Sequence, residues 1–222
     1  MAEAKRLLDI ALAGAGLLVT APALLALAVA VKLDSPGPAF FVQTRIGRGR
    51  RTIRVPKLRT MVADASRKGP EVTASADSRI TRVGALLRRT KLDELPQLWS
   101  VLRGDMSLVG PRPEVERYVA MYRPEWLELL EVRPGLTDPA SLTFRHEEEL
   151  LAGANDRERA YIEVIMPLKL ELALRGVRQQ SVSHDLGVIA RTVLAVAGSA
   201  GDDDAVLAEA RRRIAELNLD RA

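Results

Sequence analysis

The chain lacks cysteine altogether and contains very little histidine. With no cysteine among 222 residues, disulfides, thiolate metal sites and a cysteine nucleophile are all excluded. The two histidines, His146 and His184, are too few to predict a histidine-ligated metal centre, and we interpret both as structural or exposed. We therefore expect any catalytic acid, base or nucleophile to be a carboxylate, a hydroxyl or a lysine.

Acidic residues are missing from one long interval, between Asp34 and Asp64. The same interval contains seven basic residues: Arg45, Arg48, Arg50, Arg51, Arg54, Lys57 and Arg59. The net charge of +4 is thus a local excess, which favours a phosphate-bearing partner such as a lipid, a nucleotide or a nucleic acid. Aromatic residues make up only 4% of the chain, which leaves few platforms for stacking single-stranded bases.

Charge is also absent from the 22 residues between Ile10 and Val31. As a straight helix this run would be roughly 33 Å long, enough for a hydrocarbon core of about 30 Å. It is longer than the apolar part of a signal peptide and continues into a basic domain, so we expect it to be retained as an anchor. Pro22 interrupts the backbone hydrogen bonding near its middle, and basic residues that favour the cytoplasm flank both ends. We predict a re-entrant membrane helix over residues 1–33, broken at Pro22, with a single span as the alternative.

The remaining pattern predicts one mostly helical α+β catalytic domain over residues 34–200, followed by a C-terminal helical tail over residues 201–222. Short β-prone runs on either side of Gly47 and Gly49 predict a β-hairpin. Helices are predicted within Ser75–Arg89, Leu95–Leu102, Val115–Val132 with a break at Pro124, Asn155–Gly176, Ser183–Ala197 and Asp203–Asn218. Amphipathic helices are expected at the membrane interface, to which Trp126 and Leu127 are suited, whereas the last helix carries both charge signs and is predicted to be solvated.

Asp93 and Glu94 form an acidic pair where a helix is predicted to begin, and Pro96 supports that placement. Such a pair is also ordinary helix-capping chemistry. Here, however, basic residues crowd the sequence on both sides. A helix N-terminus keeps carboxylates ionised, which a nucleophile and a divalent-cation ligand both require. We therefore predict that one carboxylate faces a phosphorus atom and that the other binds Mg²⁺.

Arg112 lies between Pro111 and Pro113, which fix its backbone and aim a guanidinium suited to bidentate phosphate contact. For Lys57, Arg59 and Arg88 a phosphate site competes with a second interpretation, a solvated or lipid-facing basic surface. No Walker loop, GxGxxG, HExxH or GxSxG motif occurs in the sequence.

The motif KLDELPQLWSVLRGDMSLVGPRPE, from Lys91 to Glu114, resembles the signature of the bacterial sugar transferase family. These proteins are monotopic phosphoglycosyl transferases, or polyprenyl-phosphate glycosyl-1-phosphate transferases. The SPGP turn and the QTRIGR segment near the start, then VPKLRTM (Val55–Met61) and RPGLT (Arg133–Thr137), follow in the order of the family. The resemblance covers residues 4 to 195.

The resemblance implies a re-entrant helix broken at the proline matching Pro22. It also implies that the aspartate matching Asp93 attacks the sugar-bearing phosphate of a UDP-sugar and expels UMP. The carboxylates matching Glu94 and Asp93 hold Mg²⁺, for which Mn²⁺ is an alternative. Polyprenyl (undecaprenyl) phosphate then takes the sugar phosphate from the enzyme. Five basic residues are expected to bind phosphates and nucleotide: Lys57, Arg59, Arg88, Arg112 and Arg145.

These implications place the enzyme at the first membrane step of glycoconjugate assembly. We expect it in the bacterial inner membrane, in contact with inner-membrane lipid, with its active site on the cytoplasmic face. A nucleic-acid partner is not expected, and a homodimer is left open. Two alternatives remain at this point. One is a single-span protein whose basic cytosolic domain binds lipid or nucleic acid, and the other is a nucleotide-sugar hydrolase.

Overall fold

The computed structural model describes residues 2–65, 77–197 and 204–219. Helix accounts for 65% of the chain, which confirms a mostly helical protein with an apolar N-terminal helix and a small sheet. The helices are α1 (Ala2–Asp34), α2 (Arg82–Thr90), α3 (Gln97–Arg103), α4 (Glu116–Val119), α5 (Pro139–Thr143), α6 (Glu147–Ala152), α7 (Arg157–Ala160), α8 (Met166–Arg178), α9 (Val182–Val196) and α10 (Asp204–Leu219). The strands are β1 (Phe40–Ile46), β2 (Thr52–Leu58), β3 (Ser107–Val109) and β4 (Gly135–Thr137).

Helix α1 runs for 33 residues and contains Pro22. It is long and apolar enough to cross a membrane, and only 6% of its most apolar window is buried inside the protein. Its buried positions nevertheless occur along much of its length, because Ala13 packs beside Leu98 and Val31 packs beside Leu87. The helix therefore lies against the rest of the protein on one side and leaves its other sides apolar and exposed.

Strands β1 and β2 form the predicted β-hairpin, and they pair in an antiparallel register. Phe41 lies opposite Lys57, and Arg45 lies opposite Ile53, so all four side chains share one face of the hairpin. Ile53 and Val55 on this face are buried in a core with α3. This contact fixes the part of the hairpin that contains Ile53 and Val55. The end of the hairpin with Phe41 and Lys57 extends beyond the core towards the acidic pair.

A second two-stranded sheet joins two of the sequence motifs, because β3 and β4 pair in parallel. Gly110 follows β3 and Gly135 begins β4, and their backbones are in direct contact. A Cβ atom at Gly135 would lie 2.2 Å from the backbone nitrogen of Gly110, closer than any side chain allows. The Gly135 N–H donates to the carbonyl of Pro111 at 2.9 Å. The GPRPE and RPGLT segments are therefore packed back to back, and glycine is required at the contact.

The largest hydrophobic cluster, here called the helical core, is built by the C-terminal half of the chain. Its buried members are Tyr118, Trp126, Leu129, Ala140, Phe144, Leu151, Ala160, Tyr161, Val164, Ile165, Met166, Leu170, Ala173, Leu174, Leu207, Ala210 and Ile214. The prediction that Trp126 lies at the membrane interface is wrong, since this side chain is only 3% exposed. It packs edge-on against Tyr122 at a centroid distance of 6.2 Å.

The prediction of a solvated C-terminal tail is also wrong. Leu207, Ala210 and Ile214 of α10 are buried in the helical core. They recur at the spacing of one helix face, while the charged residues of both signs cover the outer face. The charges concealed a narrow apolar stripe, which is sufficient to dock a helix.

Several helix predictions hold only in part. The interval Val115–Val132 contains one short helix, α4, and a 3-10 segment over Pro124–Leu130. The helix predicted over Asn155–Gly176 is split by a π turn over Tyr161–Ile165 between α7 and α8. Helix α2 begins at Arg82 after an N-cap at Thr81, and residues 75 and 76 of the predicted helix lie outside the described residues.

Candidate active site

A cleft of about 960 Å³ lies between the hairpin, the Lys91–Leu95 turn, the loop that carries Arg112, and α9. All seven side chains predicted for the site line it: Lys57, Arg59, Arg88, Asp93, Glu94, Arg112 and Arg145. These residues are spread over 89 positions of the sequence, and the fold brings them to one place.

The acidic pair occupies a 3-10 turn between α2 and α3. Lys91 adopts a left-handed conformation with φ of 57°, which ends α2 and turns the chain into Leu92–Glu94. Pro96 and the start of α3 follow at once. In the described part of the chain, the hydrogen bonds made to Glu94 come from basic side chains rather than from the amides of α3. This arrangement does not match helix capping.

Glu94 is held by two cations. Lys57 Nζ lies 3.1 Å from Glu94 Oε1, and Arg112 donates one hydrogen bond to each carboxylate oxygen, at 3.0 Å to Oε2. Burial would raise the pKa of Glu94, but Arg112 and Lys57 hold it well below its ordinary value. The same carboxylate raises the pKa of Arg112. Glu94 is therefore ionised and anchors the cationic wall of the cleft.

Asp93 is in the opposite situation, although it is the adjacent residue. Its side chain is only 7% exposed, and none of the described residues donates a hydrogen bond to Oδ1. Burial raises the pKa of Asp93, and the charge of Glu94 raises it further. The pocket therefore raises the pKa of Asp93, and the charges of Lys57, Lys91 and Arg112 offset the effects of burial and of Glu94 only in part.

The loop that carries Arg112 is fixed by a buried polar cluster that the sequence interpretation missed. Arg45 donates to the carbonyl of Pro113 at 2.9 Å and to Glu114 Oε2 at 3.3 Å. The hydroxyl of Tyr161 donates to Glu114 Oε1 at 2.5 Å. Arg45 and Glu114 belong to the recognised motifs QTRIGR and GPRPE, so the sequence already indicated that both residues lie near the site. Tyr161 had no such signal, because it reaches the loop from the helical core.

The other predicted cations differ in their contacts. Arg88 forms an ion pair with Glu148 at the rim of the cleft, and Arg145 lines the same cleft. Arg59 is buried, and its two terminal nitrogens donate to the carbonyls of Val31, Ser35 and Pro36. These contacts give Arg59 a structural task, and its predicted phosphate contact stays a prediction. Arg59 clamps the turn that follows α1.

Five further cations line the cleft and were not among the predicted site residues: Arg45, Arg79, Arg89, Lys91 and Lys169. Lys91 lies directly before the acidic turn. Its charge opposes the rise in the pKa of Asp93 and adds to the lowering of the pKa of Glu94. Lys169 of α8 donates to Glu147 at 2.7 Å across the cleft wall. Lys91 is the first residue of the KLDELPQ motif, so its position in the sequence already indicated a place in the site. Lys169 lies in an ordinary helical stretch and had none.

The acidic pair fits the chemistry of a Mg²⁺ site that is completed by substrate. Within the described ranges, no group of three or more histidine, aspartate or glutamate side chains could hold a metal by itself. Mg²⁺ commonly takes only one or two carboxylates together with substrate phosphates. The orphaned Oδ1 of Asp93 would be one such ligand, whereas Glu94 would bind the metal only by giving up contacts with Arg112 and Lys57.

Comparison with known proteins agrees with the resemblance to the bacterial sugar transferase family. The family model described as bacterial sugar transferase matches residues 1–199. The chain is 40% identical over 194 residues to the UDP-glucose:undecaprenyl-phosphate glucose-1-phosphate transferase of Caulobacter vibrioides, covering 85% of this chain and 68% of that protein. It is 39% identical over 197 residues to the Escherichia coli protein of the same name, covering 85% of this chain and 39% of that protein. A putative undecaprenyl-phosphate N-acetylgalactosaminyl 1-phosphate transferase of Bacillus subtilis is 46% identical over 110 residues, which are 50% of this chain and 62% of that protein.

Proposed function

The chain belongs to the bacterial sugar transferase family, and on this premise we propose that it transfers a sugar 1-phosphate from a UDP-sugar to undecaprenyl phosphate. The observation that carries the proposal is Asp93, a buried carboxylate with an unpartnered oxygen among the described residues, facing a cleft lined by cations. Family membership sets aside the non-enzymatic alternative of a basic binding domain.

The first step is an attack by the Asp93 carboxylate on the sugar-bearing phosphorus of the UDP-sugar. A bond forms between a carboxylate oxygen and phosphorus, the bridging P–O bond breaks, and UMP leaves with the electron pair. The second step is an attack by an oxygen of undecaprenyl phosphate on the same phosphorus. The acyl-phosphate bond breaks, and Asp93 returns to its carboxylate form. A nucleophile of this kind separates a soluble and a lipid substrate into two half-reactions.

The cations of the cleft supply the electrostatic part of the reaction. A diphosphate resists attack by an anion until its charge is screened, and Arg112, which is held in the cleft by its pair with Glu94, contributes positive charge there. Lys57 and Lys91 add charge beside the carboxylates. Asp93 and Glu94 would hold Mg²⁺, which supplies charge neutralisation at the diphosphate when bound.

We also propose that α1 enters and leaves the inner membrane on the cytoplasmic side. A straight helix of 33 residues is roughly 50 Å long, and in a spanning arrangement its two ends would lie on opposite sides. Lys5 instead donates to the carbonyl of Val109 at 2.9 Å, and Arg6 donates to that of Val101 at 2.6 Å. At the other end, Val31 packs against Leu87. Contacts of both ends with one domain support a re-entrant helix.

The activity is tested by UMP release from a panel of UDP-sugars, with and without undecaprenyl phosphate. The named relatives act on glucose and on N-acetylgalactosamine derivatives, so both sugars belong in the panel. With UDP-sugar alone, intact-protein mass spectrometry after a brief quench should detect one added sugar phosphate, which disappears when undecaprenyl phosphate is supplied. Continuous UMP release without the lipid would identify a hydrolase instead.

The topology is tested separately with accessibility tags fused at Met1 and at Ala222. Both tags should be cytoplasmic in the wild-type chain. Pro22→Leu removes the residue that cannot donate a helix hydrogen bond, so it should favour a continuous span and move the N-terminal tag to the other side. A wild-type N-terminal tag outside the cytoplasm would rule out the re-entrant arrangement without affecting the activity.

A further inference from the structure

The cleft that contains Asp93 has a second wall that the reaction chemistry does not use. One part of the lining is cationic, and another part, here called the apolar wall, is made of apolar side chains from β1, β4 and α9. These side chains are Phe40, Phe41, Leu136, Ile189, Val193 and Val196. The two walls belong to one continuous cavity of about 960 Å³, which is at the upper end of the range for small-molecule sites.

Phe41 brings the apolar wall directly to the charged one. It lies opposite Lys57 in the hairpin register, so the two side chains are neighbours on the same face. Lys57 in turn contacts Glu94 at 3.1 Å. The ring of Phe41 is nevertheless 50% exposed. An apolar ring is thus left open to the cleft next to the position expected for a reacting phosphate.

Helix α9 supplies the other side of the apolar wall. Ile189, Val193 and Val196 recur at the spacing of one helix face, and all three line the cleft. Val193 is 63% exposed and Val196 is 54% exposed, although both are aliphatic. Thr192, on the same side of the helix, bonds to Thr137 of β4 at 2.8 Å and fixes this face beside the strand.

We propose that the strip between Phe41 and the Val193–Val196 face of α9 binds the isoprenoid chain of the lipid acceptor. This inference rests on the proposed function, in which one substrate carries a phosphate at the end of a hydrocarbon chain. Such a molecule needs a site that is cationic at one end and apolar at the other, with no break between them. The cleft combines both kinds of lining in one cavity, and they meet at the neighbouring side chains of Phe41 and Lys57. Its apolar part is built largely from β1, the strand that follows the membrane helix α1, and from α9.

Two other roles for these residues lead to different outcomes. If Phe41 stacked on the uracil base, its loss would slow the first half-reaction, which involves only the UDP-sugar. If α9 simply rested on the bilayer, its exposed apolar residues would matter equally, whether or not they line the cleft. The matched positions Val42 and Leu194 separate these cases. They are 41% and 51% exposed, adjacent to Phe41 and Val193, and outside the lining of the cleft.

The experiment compares four variants of the full chain in detergent micelles. Phe41→Ser and Val193→Ser alter the proposed strip, while Val42→Ser and Leu194→Ser are the controls. The readouts are the burst of UMP with UDP-sugar alone and the KM for two acceptors, undecaprenyl phosphate and the short, soluble geranyl phosphate. Both strip variants should raise the KM for undecaprenyl phosphate about tenfold, because each loses the burial of one apolar side chain. The burst and both controls should match the wild type. The KM for geranyl phosphate should rise in Phe41→Ser, which lies beside the expected position of the phosphate, and should change less in Val193→Ser.

A normal wild-type turnover with no selective effect in the strip variants would overturn the proposed strip and leave the proposed function intact. Equal effects in the control variants would assign the surface to the bilayer, and a slower burst in Phe41→Ser would assign the ring to the nucleotide. Both outcomes contradict the inference. A wild-type chain that releases no UMP from any UDP-sugar would overturn the proposed function and the strip together.

Discussion

The helical core and the cleft bury their residues in opposite ways. In the helical core, side chains such as Ile165 and Ala210 are buried among other apolar groups, and their burial stabilises the fold. In the cleft, the buried groups include the charged side chains of Asp93 and Glu94. Glu94 is compensated by Arg112 and Lys57, whereas Asp93 keeps an oxygen without a partner among the described residues. The helical core therefore stabilises the fold, and the buried charge of Asp93 costs part of that stability.

The contrast between the core and the cleft is tested most directly by Asp93→Asn, which keeps the shape of the side chain and removes its charge. Activity should fall by about a thousandfold or more, because the nucleophile is lost. Stability should rise at the same time, by about 1–3 kcal/mol, because a buried charge that is only partly compensated disappears. Thermal unfolding of the metal-free protein in detergent measures the second effect. A variant that retains substantial activity would show that Asp93 is not the nucleophile.

Glu94→Gln should lower activity by about a hundredfold, since a neutral amide is a poor Mg²⁺ ligand and a weaker partner for Arg112. In contrast to Asp93→Asn, it should destabilise the protein by about 1–3 kcal/mol, because Lys57 and Arg112 lose their buried counter-ion. Opposite signs of the stability change at adjacent residues are the expected signature. Equal signs would contradict the contrast between the two carboxylates.

The metal is tested on the wild-type chain. EDTA should abolish turnover, and Mg²⁺ or Mn²⁺ should restore it. Full turnover in excess chelator would remove the metal from the mechanism.

On the side of the helical core, Ile214→Ala should destabilise the protein by about 2–4 kcal/mol through the cavity it leaves. The residue is 4% exposed and docks α10 onto the core. Leu219→Ala is the control in the same helix, because that side chain is 73% exposed and should change stability by less than about 0.5 kcal/mol. Urea unfolding of both variants measures the difference. Similar small effects would mean that α10 is a solvated tail after all.

The same contrast explains how much could be predicted from the sequence. The hairpin followed from alternating β-prone runs around Gly47 and Gly49, and the members of the site followed from motifs that bring Lys57, Glu94 and Arg112 into one cleft. The environment of each charge could not be predicted. Local sequence placed both carboxylates at a helix start, but only tertiary packing gives two cations to Glu94 and leaves Asp93 Oδ1 unpartnered within the described ranges.

The errors have similar physical causes. Trp126 has the composition of an interfacial residue, yet its burial depends on Tyr122 and on helices that are distant in the sequence. The charges of α10 dominate its sequence, although the narrow stripe through Leu207 and Ile214 decides where the helix packs. In each case a long-range contact overrides a local property.

The smallest expected effect concerns Tyr161, which belongs to both regions. Its ring is buried in the helical core 4.9 Å from the ring of Tyr118, and its hydroxyl donates to Glu114 in the loop that carries Arg112. Burial, and then the charge of Glu114, raise the pKa of Tyr161 far above its ordinary value, so the hydroxyl remains a donor. Tyr161→Phe should therefore keep the core packing and lose one buried hydrogen bond, at a cost of about 1–2 kcal/mol.

Because the loop would then be held less firmly, we expect the KM for the UDP-sugar to rise about threefold to tenfold, with a smaller change in kcat. Tyr118→Phe is the matched control, since its hydroxyl accepts from Arg117 rather than contacting the loop. Steady-state kinetics of the two variants, together with their unfolding midpoints, measure both quantities. If the two substitutions have the same kinetic effect, Tyr161 stabilises the core alone. A selective rise in KM for Tyr161→Phe would instead show that the helical core positions Arg112 through Glu114, so that the two regions are mechanically joined at one hydroxyl.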